Sequence, residues 1–217
     1  MSLPVRLTFR ASSTTFIAAA QTLAGAGNMV LNGSGSDESP TRRMRLTGSG
    51  FSRVITLTST GNISAVNFTI TGTDIRGAAL SEVIAGPNIN TVSTTNNFYS
   101  VTSIAASAAV GTATSAGIGD TGTSQWIRVN YQITPVAIGL GVNVTGAINW
   151  TIKQTTSNVE TSEPIAAEIS NHSDIDLVAQ GVSRQGNYTV PFGAFKLTVN
   201  SASGGSLTFD SYQAGIV

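Results

Sequence analysis

The chain has 217 residues, and its 11 Lys+Arg against 11 Asp+Glu leave a formal net charge of zero, so no field steers it toward nucleic acid or an acidic membrane surface. Thr (29), Ser (26) and Asn (15) dominate the polar positions, yet 41% of the chain is hydrophobic, which excludes a disordered polar polymer. The absence of cysteine excludes a disulfide framework. Residues 1–10 lack a basic stretch followed by an apolar run, and no apolar run approaches the roughly 18 residues of a spanning helix. The expectation is a chain made and folded in a reducing cytosol, with no membrane insertion.

In chain order, period-two alternation predicts strands at Val5, Leu7 and Phe9, at Ile55 and Leu57, and at Val66, Phe68 and Ile70. Gly72-Thr73-Asp74 and Gly86-Pro87-Asn88 read as turns between strands. Helix is expected at most over 15–23 and 164–169, the first being alanine-rich without caps and the second barely longer than a turn. The run Gly117-Ile118-Gly119-Asp120-Thr121-Gly122 breaks the alternation and predicts a boundary, giving an N-terminal β domain over 1–122 and a C-terminal β-sandwich domain over 123–217.

Alternation resumes at Ile127, Val129, Tyr131 and Ile133 and is clearest over 142–153. There Val142, Val144, Ile148, Trp150 and Ile152 share one face, while Asn143, Thr145, Asn149, Thr151 and Lys153 share the other. Gly146 interrupts this pattern as a bulge or bend would, and Trp150 falls among core residues. Ala65-Val66-Asn67-Phe68-Thr69-Ile70 echoes Ala147-Ile148-Asn149-Trp150-Thr151-Ile152, as either two related halves or two strands under one packing demand would. Phe195, Leu197 and Val199 lead through Ser201-Ala202-Ser203-Gly204-Gly205 to Leu207 and Phe209, which reads as a hairpin. The strands at 5–9 and 207–209, near the chain ends, are the expected sheet edges. The fold class is therefore all-β: two β-sandwich-like domains with little or no helix.

Groups able to do chemistry are sparse. His172 is the single histidine, no G-x-S-x-G elbow surrounds a serine, and the residue reads as part of a solvated loop. Asp174 and Asp176, with Asn171, offer too few oxygens at the wrong spacing for an EF-hand, and Glu160, Glu163 and Glu168 read as surface charge. No P-loop or dinucleotide fingerprint occurs, so no cofactor is expected. Arg42, Arg43 and Arg45 form the basic cluster, beside Asp37 and Glu38; a self-neutralised loop or a protein contact fits them better than nucleic acid. Among the aromatic residues, Trp126, Trp150, Tyr131 and Tyr188 are candidate stacking rings. Trp126, on the opposite parity from Ile127, is the one placed for exposure or for anchoring a partner.

Over 29–117 the sequence resembles structural proteins of tailed bacteriophages. The resemblance is carried by Leu31-Asn32-Gly33, by the run from Val54 through Gly61-Asn62, by Val66-Asn67-Phe68-Thr69-Ile70-Thr71-Gly72-Thr73-Asp74, by Ile84-Ala85-Gly86-Pro87-Asn88 and by Phe98-Tyr99-Ser100-Val101. Phe195-Lys196-Leu197-Thr198-Val199 and Gln213-Ala214-Gly215 are similar to the C-terminal end of such proteins, whereas 42–45 and 155–183 depart from them. The resemblance implies a non-enzymatic virion component: a tail protein or adaptor linking tail and fibres, homo-oligomeric, contacting other virion proteins and assembled in the host cytoplasm. A capsid decoration protein and a carbohydrate- or receptor-binding tail module are the alternatives.

Overall fold

The computed structural model describes residues 5–35, 44–45, 50–130, 137–189 and 192–214, of which 44, 45 and 214 by their backbone alone. The described chain is all-β, with two short 3-10 turns, Ala166–Glu168 and Ile175–Leu177, as its helical elements. Two compact units form: Ser12–Thr47 with Phe51–Asp120, and Thr121–Val217 with Met1–Ala11 and Gly48–Gly50. Relative to the expected division into 1–122 and 123–217, the start of the chain, Gly48–Gly50 and residues 121–122 fall in the second unit instead of the first. The first strand, β1 (Val5–Phe9), pairs with the last strand of the chain and so belongs to the second unit.

The first unit is a sandwich of two antiparallel layers. One layer contains β2 (Ser13–Leu23), β5 (Phe51–Ser59), β8 (Thr91–Ser93) and most of β10 (Val110–Ser124). The other contains β3 (Gly27–Asn28), β4 (Met44–Arg45), β6 (Asn67–Thr73), β7 (Ala79–Ala85) and β9 (Ser100–Ala106). Alternation puts Phe68 and Ile70 of β6 and Ile55 and Leu57 of β5 into one core with Ile17 of β2, each fully buried; Val101 and Ile104 of β9, three apart, both join it because the register shifts between Ser103 and Val101. The alanine-rich 15–23 segment is strand because β10 pairs along it; tertiary pairing overrides alanine's helix propensity. Gly72 and Thr73 lie inside β6, and the turn comes after them, where the Asp74 carboxylate accepts from the backbone N–H groups of Arg76 and Ala78 at 2.9 and 2.8 Å. Gly86, Pro87 and Asn88 do fall between strands β7 and β8.

The predicted boundary loop at 117–122 is instead the interior of β10, with Gly117, Ile118 and Gly119 buried. Its glycines serve close approach rather than a turn. A Cβ at Gly117 would run into the Ser13 carbonyl oxygen, and one at Gly119 would meet the Val54 side chain.

In the second unit, β12 (Ala137–Thr155) and β15 (Ala194–Ala214) pair antiparallel from Ala137↔Ala214 to Thr155↔Ala194. Outside them, β13 (Ile169–Asn171) and β14 (Arg184–Tyr188) pair with β12, while β1 and β11 (Ile127–Arg128) pair with β15. The expected hairpin at 201–205 is therefore absent: both flanks of that segment are already paired with β12. What occurs there is a bend. Ala147 faces both Ser203 and Gly204, Gly146 and Gly204 take φ of 80° and 70°, and the bulge expected at Gly146 is present.

The bend brings the two ends of β15 together. Phe195 and Phe209 would lie roughly 46 Å apart along a straight strand, yet their ring centroids are 6.1 Å apart, edge to face. Tyr188 stacks on Phe192 at 4.0 Å and on Phe195 at 5.7 Å, and Trp150 is wholly buried, as its parity predicts. Leu207 and Phe209 are not edge residues. They pair with Val144 and Val142 on one side and with Phe9 and Leu7 on the other, because the returning β1 covers the flank that chain position alone leaves open.

Candidate functional site

Of the residues singled out for partner contact, Arg42 and Arg43 lie outside the described residues, as does Tyr131. Arg45 is placed by its backbone alone, in β4 opposite Ser100 of β9. Trp126 is described in full. It immediately precedes β11, whose residues Ile127 and Arg128 pair with Phe195 and Ala194; Ile127 points into the core, and Trp126 and Arg128 share the outer face.

The half-buried indole is held on two sides. Its Nε1–H donates to Glu163 Oε1 at 2.8 Å, and the Lys196 ammonium sits 4.3 Å from the ring centroid while donating to the same carboxylate oxygen at 2.9 Å. The Lys196 side chain is only 12% exposed, so this ion pair is screened less than a typical surface pair. A second bridge joins Arg128 to Glu160. Together they fasten the segment after β12 to the outer face, and Glu160 and Glu163 become structural ties as well as surface charge. Beside the Arg128–Glu160 bridge lies a polar cleft of about 190 Å³ whose lining includes Arg128, Ser157, Asn158 and Glu160. The arrangement offers a fixed aromatic surface with a charged margin, the composition of a contact patch.

His172 corrects the sequence reading. It is 6% exposed, its ring lies 4.3 Å from that of Tyr188, and its Nδ1 accepts from the Asp174 backbone N–H at 2.9 Å. Burial lowers the His172 pKa, against opposing contributions from the Asp174 charge and the Asn187 backbone. Tyr188 is also buried, which raises its phenol pKa and removes it as a stacking ring. Nothing local in 171–176 announces this burial; it depends on β14 pairing with β12.

Asp174 and Asp176 are used within the chain. Asp174 Oδ1 accepts from the Asp176 backbone N–H at 2.9 Å, opening the 3-10 turn, and Asp176 faces Arg184 at 3.7 Å. Among the described residues, no group of three or more His, Cys, Asp and Glu side chains could hold a metal ion. No helix there is long and apolar enough to cross a membrane.

Sequence reasoning missed Arg53 of the first unit. It is 2% exposed in β5, its guanidinium donates to the Gly119 carbonyl, and burial lowers its pKa to about 10 against the opposing charge of Asp120. The signal was present in the sequence: Arg53 interrupts an otherwise apolar strand pattern in 51–57. In comparisons with known proteins, no family model and no curated protein matches the chain.

Proposed function

We propose that this protein is a non-enzymatic structural component of a tailed-bacteriophage virion, a tail protein or adaptor between tail and fibres, assembled in several copies in the host cytoplasm. The observation that carries the reading is Ile89. It sits between β7 and β8 at φ 53° and is 69% exposed. A β-branched residue in left-handed backbone is strained, and here burial does not compensate the strain. The loop is nevertheless held in place: the Ile89 N–H donates to the Gly61 carbonyl at 3.2 Å, and Asn90 Oδ1 accepts from the Asn88 N–H at 3.0 Å.

A fixed loop that displays an isoleucine to solvent suits contact with another protein surface. Ile165 and Ile175, exposed at 66% and 75% in the second unit, fit the same use, as does the fastened Trp126. The resemblance over 29–117 names the setting, and bulged antiparallel layers supply bodies rigid enough for repeated contacts.

Sedimentation of the purified protein, alone and mixed with fibreless tails, tests the reading. A discrete oligomer or co-sedimentation with tails is the expected result. A monomer at high concentration that also ignores tails overturns it.

A further inference from the structure

The two strand glycines near the start of β12 lack the explanation that serves three other strand glycines. Gly72, Gly117 and Gly205 each face a backbone carbonyl that leaves no room for a side chain: those of Ser100, Ser13 and Ala147. Among the described residues, a Cβ at Gly139 or Gly141 would meet no heavy atom within 4 Å. Glycine inside a strand weakens it relative to a residue with a side chain, and where no described part of the chain approaches, the space suits an approaching ligand.

Register shows what surrounds that space. Ile138, Leu140 and Val142 are buried, so Gly139 and Gly141 lie on the outer face. Gly139 is paired with Asn187 of β14 on one side and Tyr212 of β15 on the other; Gly141 is paired with Gln185 and Asp210 in the same way. The result is a trough with a bare backbone floor two rows long. Its walls stand roughly 10 Å apart, two strand spacings. One wall carries two exposed side-chain amides, neither of which hydrogen-bonds to a partner among the described residues. The other carries Tyr212, 55% exposed, followed by Asp210, itself buried, whose carboxylate accepts from Arg6 Nε and Nη2 at 2.7 and 3.2 Å, so that the exposed Arg6 side chain stands at that end of the wall. Around Gly139 the trough deepens into a cleft of about 310 Å³ whose lining also includes Thr189.

These groups select a ligand by chemistry. Amides with unused donors and acceptors match hydroxyl groups, and a phenol ring offers an apolar face beside a polar tip, suited to the C–H face of a sugar ring. Arg6 and Asp210 neutralise each other, so the site carries no net charge to attract an ionic ligand. We propose that the trough formed by Gly139, Gly141, Asn187, Gln185 and Tyr212, closed at one end by the Arg6–Asp210 pair, binds an uncharged oligosaccharide. The site lies wholly in the second unit and does not depend on the virion reading: a tail protein that bound no glycan would fail this inference alone.

The test is titration of the full-length protein with maltohexaose, cellohexaose, chitohexaose and mannohexaose, followed by amide chemical shifts in the nitrogen–proton spectrum. At least one sugar should bind with a Kd of about 1 mM or tighter, with the largest shifts at Gly139, Gly141, Asn187 and Tyr212. Gly141→Val fills the floor with a residue that favours strands and should weaken binding at least about tenfold without lowering the melting temperature. Tyr212→Ala, which leaves the floor intact, should weaken it comparably. Failure of all four sugars to bind, shifts confined to other surfaces, or affinity unchanged in both variants overturns the proposal. Loss of self-association in Gly141→Val, with no sugar bound by the parent protein, also overturns it and makes the trough a contact between copies.

Discussion

Truncating Trp150 to alanine tests the packing of the second unit. The side chain is wholly buried, its indole N–H donates to the Val182 carbonyl at 3.2 Å, and its backbone exchanges two 2.9 Å hydrogen bonds with Gln180. The backbone bonds survive truncation; the indole's packing does not. Removing a buried Trp destabilises by about 3–5 kcal/mol. The orphaned Val182 carbonyl adds little, since Val182 is 51% exposed and water can replace the indole. For a unit of about 110 residues, 1 kcal/mol shifts the melting temperature by about 4 °C or more. The second unit should therefore melt at least ~12 °C lower by differential scanning calorimetry, and urea unfolding followed by tyrosine fluorescence should give the same free-energy loss. Trp150→Phe, which retains a ring, should lose less than half as much. A loss below about 1 kcal/mol for Trp150→Ala would refute the placement of this face in the core.

Four further outcomes are expected. Gly117→Val should destabilise by about 3 kcal/mol in urea titration, as overpacking against a fixed backbone does, whereas Gly139→Val should leave stability unchanged or raised. Because burial holds the His172 pKa below its ordinary value, the unfolded chain takes up the proton first as the solution is acidified. Stability should therefore be flat above about pH 7.5 and fall as the pH drops through about 6.5, the ordinary histidine value, toward the lower folded value; His172→Gln should reduce that slope between pH 7.5 and 5. Ile89→Asn, which relaxes the left-handed position, should keep the melting temperature within about 4 °C while weakening assembly in sedimentation. Arg53→Ala should destabilise the first unit by about 3 kcal/mol or more, since it removes a buried cation and leaves the Gly119 carbonyl and the Asp120 charge without it.

The β class was legible because burial on one face imposes period two, and no stretch in this chain sustains a helical period. Gly146 was legible as a bulge because it broke an alternation long enough to define its own phase. Gly117 and Gly204 were misread because a glycine says only that a side chain is excluded or the backbone is unusual. Whether the cause is a turn, a bend or a neighbouring strand is decided by residues far away in sequence, such as Ser13 beside Gly117. His172 is the same kind of case: its burial is imposed by Tyr188 and cannot be read from its hydrophilic neighbours. Trp126 could be placed at the surface from parity alone, but its ties to Glu163 and Lys196 needed the register of β11 on β15. The trough was invisible for a related reason. Gly139 and Gly141 acquire walls only when β14 and β15 are set beside β12, and a lone Gly-x-Gly carries no such information.

The assembly role rests on displayed apolar side chains, and its most direct test is a reconstruction of the intact particle by electron microscopy, with peptide mass spectrometry of the same preparation to count copies. Density for this fold is expected at the tail or at the tail–fibre junction, in a copy number that matches the local rotational symmetry, with Ile89 or Trp126 buried against a neighbouring subunit. Particles that lack the protein, or that carry it with both side chains facing solvent, would contradict the assembly role.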